Sequence, residues 1–328
     1  MEHVNEDAGR LVDLISPSLE AVNLSKNFGS FPAVSNLNLK IEGSKCVGFL
    51  GPNGAGKTTT LKMFTDLIRA SSGQALINGI NAHTKKKEAL ACVGTLIETP
   101  EIYPSLTPRE GLRMIAEIRG VPAEEREKKI EAAVAEVRMG EWIDKRVGKF
   151  SKGMKQRICI ASALLSDPDI LILDEPTAGL DPRGMSEVRD IVKSLKSKKR
   201  LIFMSSHLLN EVSEVCDEVA MIDHGKLIVY DTIANVTAKV SGGATTVEVE
   251  LLRPIDQTAL ANAITGFPEV FSVDRRDDRT LTLRFSGGLD VQERLLSHLV
   301  KLNTGIVSFK PAALELEDAY LKLITSTL

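Results

Sequence analysis

Short runs in which apolar and polar positions alternate mark the start of this chain. From Leu19, the segments LEAVNLSKNF and LNLKI carry apolar side chains at alternate positions, which predicts antiparallel strands with one buried face. The segments KCVGFL, ILILD and RLIFMSS are continuous apolar runs, as expected for central strands covered on both faces. Helical patterns separate these runs, so the sequence predicts an α/β fold.

Two helical regions stand out between the strands. One is predicted over 58–68, directly after a glycine-rich loop, and the other is a charged stretch over 107–147. Pro108 lies near the start of the second region, and Pro122 interrupts it, because proline is tolerated only in the first turn of a helix.

A second domain is predicted after the flexible segment SGGA. Its pattern has the order βαββαβ, which is typical of a ferredoxin-like α+β fold. The predicted elements are strand 245–251, helix 258–265, strand 270–274, strand 280–286, helix 291–303, strand 305–309 and a final helix from about Leu314. The sequence thus predicts an N-terminal extension over 1–17, a main domain over 18–240 and a C-terminal accessory domain over 241–328.

Composition narrows the class of protein. The 328 residues include 43% hydrophobic and 26% charged side chains, and the 41 basic against 44 acidic residues give a net charge of −3. An acidic balance of this kind argues against sequence-independent binding to nucleic acid. The four cysteines form no CxxC pair, so we expect buried, reduced thiols in a reducing compartment.

The chain has no apolar run of the roughly 18 residues that a spanning helix needs. Its first residues, MEHVNEDAGR, are acidic and polar, unlike a signal peptide. We therefore expect a cytoplasmic protein that reaches any membrane through a partner.

The glycine-rich loop has the pattern GxxxxGK[ST] between a strand and a helix, the context of a phosphate-binding loop. Its backbone N–H groups can surround phosphates at a helix N-terminus, while Lys57 adds positive charge and the Thr58 hydroxyl can ligate Mg²⁺. The predicted nucleotide-binding residues are Gly51, Pro52, Asn53, Gly54, Ala55, Gly56, Lys57, Thr58 and Thr59. ATP and Mg²⁺ are the expected cofactors.

A carboxylate pair follows the ILIL strand. Asp174 suits the Mg²⁺ shell of such an enzyme, and Glu175 is placed to polarise an attacking water. Taken alone, the pair could equally begin a helix.

The motifs GPNGAGKTT, SKGMKQR, LILDEPTAGLDP and SSH, in this order, resemble the ATP-binding cassette family from about Leu19 to Tyr230. The resemblance implies a RecA-like core with an antiparallel β subdomain and a helical subdomain over 107–147. It also implies that the signature motif caps the γ-phosphate on an opposite protomer through Ser151 and Gly153. The family's usual form of this motif is LSGGQ, and three positions differ here: Phe150, Lys152 and Met154. Taken alone, SKGMKQR could simply be a basic helix start.

Three further residues match positions of the family. Asp181 matches a loop that contacts the second copy, His207 a switch histidine, and Phe28 an aromatic residue that stacks on adenine. A histidine after a strand is often structural, and Phe28 could instead belong to the core.

Glu98 lies in the loop after the VGTLI strand. In the family this loop usually presents a glutamine to the metal and the water, so Glu98 departs from the family pattern. The resemblance gives Glu98 the same role, as a metal ligand near the catalytic residues. The alternative is that Glu98 faces solvent or a partner. Glu98 with the Tyr-Pro that follows it, the SKGMKQR segment and the LELEDAYLKL tail together resemble the bacitracin-resistance and drug-exporter branch.

The resemblance implies an ATP-hydrolysing subunit, with Glu175, His207, Lys57 and Glu98 at the catalytic centre. It implies a head-to-tail homodimer, or a pair with a homologous cassette, peripheral on the inner membrane face through a separate multi-span permease. Two alternatives stay open at this point: a soluble cassette ATPase acting on a macromolecular partner, and a cassette that binds ATP without turnover. No nucleic-acid partner is expected.

Overall fold

The structure is a computed structural model that describes residues 16–98, 103–241, 244–254, 267–301, 305–311 and 320. The chain divides into two compact units, 1–232 and 233–328. Each unit has its own apolar core cluster. The division falls several residues before the boundary expected at 240, so the helix that precedes the second sheet belongs with the second unit. The expected extension over 1–17 lies almost wholly outside the described residues.

An antiparallel sheet opens the first unit. Its strands are β1 (Ser18–Phe28), β2 (Phe31–Glu42), β4 (Ser72–Ile77) and β5 (Ile80–Asn81), in the order β2-β1-β4-β5. The predicted alternation is visible in β2, where every second side chain from Leu37 to Ile41 is buried. Gly29 and Ser30 connect β1 to β2, and Gly29 has a left-handed φ of 59°, as tight hairpin turns require.

A mixed six-stranded sheet forms the centre of the first unit. Its strands are β3 (Cys46–Leu50), β6 (Val93–Leu96), β7 (Ile170–Leu173), β8 (Leu201–Ser206), β9 (Glu218–Asp223) and β10 (Lys226–Thr232), in the order β10-β9-β3-β8-β7-β6. Only β10 runs antiparallel to its neighbour. Every residue of β3, β7 and β8 is buried, which confirms the prediction from their continuous apolar runs.

Seven α-helices belong to the described part of the first unit. They are α1 (Lys57–Phe64), α2 (Lys86–Ala89), α3 (Pro108–Ile118), α4 (Ala123–Glu136), α5 (Lys152–Leu164), α6 (Pro182–Lys196) and α7 (Leu209–Val215). Short 3-10 turns cover Leu90–Cys92, Gly140–Trp142 and Val147–Lys149. Thr107 and Glu110 form a capping box at the start of α3, so the predicted helical start at Pro108 is confirmed.

Helix α1 is shorter than the predicted 58–68. It ends at Phe64 because the backbone turns at Asp66, whose φ is 49°. The N–H groups of Leu67 and Ile68 both donate to the carbonyl of Lys62. These bonds satisfy a terminal carbonyl of the helix and close it.

The second unit contains one antiparallel sheet. Its elements are α8 (Ile233–Ser241), β11 (Ala244–Leu251), β12 (Val270–Arg275), β13 (Thr280–Ser286), α9 (Leu289–Lys301) and β14 (Ile306–Pro311), with strand order β12-β13-β11-β14. Leu281, Leu283 and Phe285 point into its core, as their alternation predicts. The helices expected at 258–265 and from 314 fall outside the described residues, apart from residue 320, so the ferredoxin-like fold stays a prediction.

All four cysteines are thiols. Cys46, Cys159 and Cys216 are buried, and Cys92 is half-buried. Burial raises the pKa of Cys159 to about 11, which keeps this thiol protonated at neutral pH. Across the described ranges, no helix combines the length and the apolar character needed to cross a membrane.

Candidate functional site

Residues 51–56 form a loop between β3 and α1, as predicted from their pattern. Gly56 is the N-terminal cap of α1 and has a φ of 104°. A Cβ on this residue would lie 2.5 Å from the carbonyl oxygen of Ala33 on β2, so both the conformation and the close packing require glycine. The first turn of α1 contains Thr58 and Thr59, and its N–H groups are those that a bound phosphate can satisfy.

Lys57 holds this loop in shape. Its side chain is only 5% exposed, and its ammonium group donates to the carbonyls of Gly51 at 2.7 Å and Pro52 at 3.1 Å. The same nitrogen lies 3.5 Å from a carboxylate oxygen of Glu175. Lys57 therefore places a positive charge inside the loop, directly facing one of the predicted catalytic residues.

Asp174 lies at the end of β7, beside the start of α1. The Thr58 hydroxyl donates to the Asp174 carboxylate at 3.1 Å, and Ser205 donates to the same oxygen at 2.6 Å. The Ser205 hydroxyl also accepts a hydrogen bond from the backbone N–H of Glu175 at 2.8 Å. Ser205 thus fixes both acidic residues at the edge where the parallel strands end.

Glu175 lies between two basic side chains. One carboxylate oxygen faces Lys57, and the other is 2.7 Å from Nδ1 of His207. A carboxylate only accepts, so Nδ1 carries the proton in this hydrogen bond. Nε2 of His207 can then donate to a phosphate oxygen only when the ring is protonated or when Nδ1 releases Glu175.

A buried glutamate, Glu211, connects the segment that follows Glu175 to the segment that precedes His207. Glu211 on α7 is 2% exposed and accepts hydrogen bonds from the hydroxyls of Thr177 at 2.6 Å and Ser206 at 3.1 Å. Thr177 follows Glu175 by two residues, and Ser206 directly precedes His207. Glu211 therefore ties together the backbones that carry the two facing side chains.

Glu98 pairs with Lys62 of α1 in this structure. Its side chain is 70% exposed, and its backbone has a φ of 61°, which is uncommon for a residue with a Cβ. That Glu98 binds the metal remains a prediction. Residues 99–102, which follow it, lie outside the described residues.

The predicted signature residues lie at the start of α5. Ser151 caps the helix, and its hydroxyl accepts from the N–H of Met154 at 3.2 Å. A Cβ on the buried Gly153 would lie 3.3 Å from Cα of Gly184, in the first turn of α6, where Asp181 is the cap. Ser151, Gly153 and Asp181 are thus close in space.

Lys152, at the unusual position of the signature, lies over the loop before α6. Its ammonium nitrogen would be 2.3 Å from a Cβ on Gly179. Gly179 has a φ of 67°, a left-handed conformation that favours glycine, whereas the flexible end of Lys152 can move aside.

The site therefore has two parts. We call Lys57, Thr58, Asp174, Glu175 and His207 the phosphate-loop half-site, and Ser151, Lys152, Gly153 and Asp181 the signature half-site. In the ranges that the structure describes, no hydrogen bond or ion pair joins Ser151 or Gly153 to the phosphate loop.

Phe28 is 51% exposed at the end of β1, with the ammonium of Lys26 over its ring at 5.1 Å. The alternative that Phe28 belongs to the core is therefore wrong. Its partner across the hairpin is Phe31, which is 61% exposed. The contact with adenine stays a prediction.

Ser205 and Lys62 are residues of this region that the sequence alone did not single out. The signal for Ser205 is the change from apolar to polar at the end of the LIFM run, directly before His207. Lys62 follows Thr58 by four residues on one helix, which places both on the same face.

The chain is similar in sequence to known proteins. The family model described as ABC transporter matches residues 34–178. The chain is 43% identical over 215 residues to the bacitracin transport ATP-binding protein BcrA of Bacillus licheniformis, covering 65% of this chain and 69% of that protein. It is 31% identical over 314 residues to the uncharacterized ABC transporter ATP-binding protein YdbJ of Bacillus subtilis, and this match covers 95% of this chain and 97% of that protein.

A solved structure of the ATP binding subunit of an ABC transporter is similar to this chain in fold. The TM-score is 0.60 at 28% sequence identity, and the match covers 67% of this chain and 92% of that one.

Proposed function

This chain belongs to the ABC transporter ATP-binding proteins, and from that membership we propose that its ATP hydrolysis drives a separate permease that exports peptide antibiotics, drugs or lipid-like compounds. The export direction rests on the resemblance to the bacitracin-resistance and drug-exporter branch, and the 43% identity to a bacitracin transport ATP-binding protein supports a peptide-antibiotic substrate. The proposed location is the inner face of the membrane, where the permease binds the cassette.

The geometry of the phosphate-loop half-site supports the chemistry. Glu175 is held between Lys57 and His207, with one carboxylate oxygen toward the phosphate loop. In this position it can orient a water so that the water oxygen attacks the γ-phosphorus while the bond to the β-phosphate oxygen breaks, giving ADP and phosphate. Lys57 offsets the negative charge on the phosphate oxygens.

Mg²⁺ fits the residues beside the loop. Thr58 and Asp174 offer two hard oxygen ligands whose atoms lie 3.1 Å apart. Two such ligands suit Mg²⁺, which usually takes one or two protein oxygens and completes its shell with phosphates and water. The ion would neutralise charge on the triphosphate.

A head-to-tail dimer completes the proposed site. One chain carries a phosphate-loop half-site and a signature half-site, and within the described chain no hydrogen bond joins Ser151 or Gly153 to the phosphate loop. In a twofold pair, either a homodimer or a pair with a homologous cassette, each ATP would lie between the loop of one protomer and the signature of the other. ATP would favour the closed pair, and hydrolysis would release it.

Reconstitution tests the export proposal. The neighbouring open reading frames are searched for a multi-span membrane protein. The chain and that candidate permease are then expressed together in a sensitive bacterial host, and growth is measured against bacitracin, a lantibiotic and a hydrophobic drug. We expect resistance to at least one compound, and its loss when Glu175→Gln replaces the parent chain. Equal growth of the two strains on all three compounds, with ATP turnover intact in the parent, would contradict export while leaving the ATPase assignment in place.

A further inference from the structure

Two residues on one face of α1, one helical turn apart, each contact an acidic side chain. Thr58 donates to Asp174 at 3.1 Å, and Lys62, one turn further along, pairs with Glu98. Residues four apart on a helix have their Cβ atoms about 6 Å apart. The Glu98 carboxylate therefore rests about one helical turn away from the hydroxyl that is proposed to bind the metal.

The two acidic residues reach α1 from neighbouring strands. Strands β6 and β7 are parallel, with Leu96 opposite Leu173, and the N–H of Asp174 donates to the carbonyl of Leu96 at 2.7 Å. Glu98 follows Leu96 by two residues, so it leaves the same edge of the sheet as Asp174. Its exposed side chain is not confined by packing, and a rotation can swing it along α1.

The charges at the two contacts differ. Asp174 faces neutral hydroxyls, whereas Glu98 faces an ammonium group, which is its single ion-pair partner within the described chain. An exposed pair of this kind is weak, while a nearby divalent cation attracts a carboxylate more strongly. Lys62 lies in the last turn of α1, where the helix dipole stabilises its charge after Glu98 leaves.

We propose that Lys62 is a positioning residue that holds Glu98 away from the metal position in the nucleotide-free protein, and that binding of Mg·ATP moves Glu98 from Lys62 to the metal. This inference rests on the proposed function. Lys62 and the metal then compete for one carboxylate, and the competition sets how much Mg²⁺ the site needs.

A double-mutant cycle tests the competition. The four proteins are the parent, Lys62→Met, Glu98→Gln and the double variant, and the matched control is Lys87→Met, an exposed lysine on α2. ATP affinity is measured by calorimetry in EDTA and across a Mg²⁺ titration at constant ionic strength. The cycle cancels the direct attraction between Lys62 and the triphosphate, because that attraction is present whether position 98 carries the carboxylate or the amide.

We expect Lys62→Met to lower the Mg²⁺ concentration at half-saturation by about two- to fivefold, the size expected for releasing an exposed ion pair. In the Glu98→Gln background the same change should leave only the direct effect of the lost lysine charge, so the decrease in that concentration should disappear. Glu98→Gln alone should raise it, because a neutral amide binds the metal less well. In EDTA, Lys62→Met should weaken ATP binding more when Glu98 is present, since the carboxylate then repels the triphosphate unopposed. Lys62→Arg should restore the parental values, and Lys87→Met should not differ from the parent.

Two outcomes would overturn the inference. One is an equal or absent effect of Lys62→Met on the Mg²⁺ requirement in the two backgrounds, which would mean that Glu98 stays away from the metal. The other is a higher Mg²⁺ requirement that depends on Glu98, which would mean that Lys62 guides the carboxylate toward the metal. A parent that binds no ATP at any Mg²⁺ concentration would instead contradict the proposed function itself.

Discussion

In the phosphate-loop half-site the charged side chains are joined by hydrogen bonds and ion pairs. The signature half-site, in contrast, is the exposed N-terminus of a helix. In the first, Lys57 is buried and Glu175 is held by a lysine, a histidine and a serine. In the second, Ser151 and Lys152 are exposed, and within the described ranges the Ser151 side chain hydrogen-bonds only to the first turn of its own helix. Both parts lie in the same compact unit of the chain.

The difference shows how the proposed chemistry is divided. The phosphate-loop half-site holds its charged groups in place through contacts within the chain, and electrostatic catalysis requires groups that are fixed in this way. The signature half-site offers an N-terminal helix end and a lysine to solvent, and both attract anions. We therefore expect variants in the first to remove binding or turnover, and variants in the second to act through assembly.

Glu175→Gln should have the largest effect. The amide keeps the shape of the side chain but removes the charge that orients water, so turnover should fall by at least about 100-fold. ATP binding should survive, and a dimer should accumulate with Mg·ATP in size-exclusion chromatography. Glu88→Gln, an exposed glutamate on α2, is the matched control. Normal turnover in Glu175→Gln, with no ATP-dependent dimer, would show that the role assigned to Glu175 is wrong.

Lys57→Ala should weaken ATP binding by at least about tenfold, because a charged hydrogen-bond donor to the triphosphate is lost. The change also removes the bonds to the carbonyls of Gly51 and Pro52, so the thermal midpoint should fall as well. Calorimetric titration with ATP, beside Lys87→Ala as control, measures the first effect. An ATP affinity equal to that of the parent in a folded Lys57→Ala protein would exclude the phosphate-loop assignment.

Ser151→Ala should lower turnover by about tenfold, through loss of a helix cap and of a phosphate contact. Mixed with Lys57→Ala, it should regain activity, because a mixed dimer contains one intact pair of half-sites. The measurement is phosphate release from each variant alone and from the mixture. A mixture no more active than the average of its components would argue against assembly in trans.

Phe28→Ala should reduce ATP affinity by about fivefold, the low end of the range for stacking a base on an aromatic ring. Because the ring is exposed, folding stability should change by less than about 0.5 kcal/mol. Phe31→Ala changes a similarly exposed ring on the facing strand of the hairpin and serves as the control. Equal affinities for the two variants would leave Phe28 without a role in adenine binding.

Removing the second unit should have the smallest effect. The core clusters of the two units share no residue, and all proposed site residues precede Thr232. A chain that ends at Thr232 should therefore bind ATP with nearly the parental affinity. Circular dichroism checks folding, and a folded truncated chain that no longer binds ATP would place part of the site in the second unit.

Local patterns allowed most strands and the loop to be predicted. The strand β13 matches its predicted range of 280–286, and β7 and β8 follow from their apolar runs. The length of α1 was mispredicted, because hydrogen bonds around Lys62, Leu67 and Ile68 ended the helix early. Such a turn depends on backbone geometry rather than on hydrophobic period.

The sequence by itself determined which residues carry charge and where phosphate can bind. The glycine-rich loop, the strand before it and the helix after it are consecutive along the chain, so a local pattern is enough to identify them. Tertiary structure alone decided which of these residues touch. Ser205 could meet Asp174 and Glu175 only because β7 and β8 are adjacent parallel strands. In the same way, Glu98 meets Lys62 because the chain that leaves β6 passes beside α1. Contacts between distant segments follow from strand order, which periodicity along the chain does not contain.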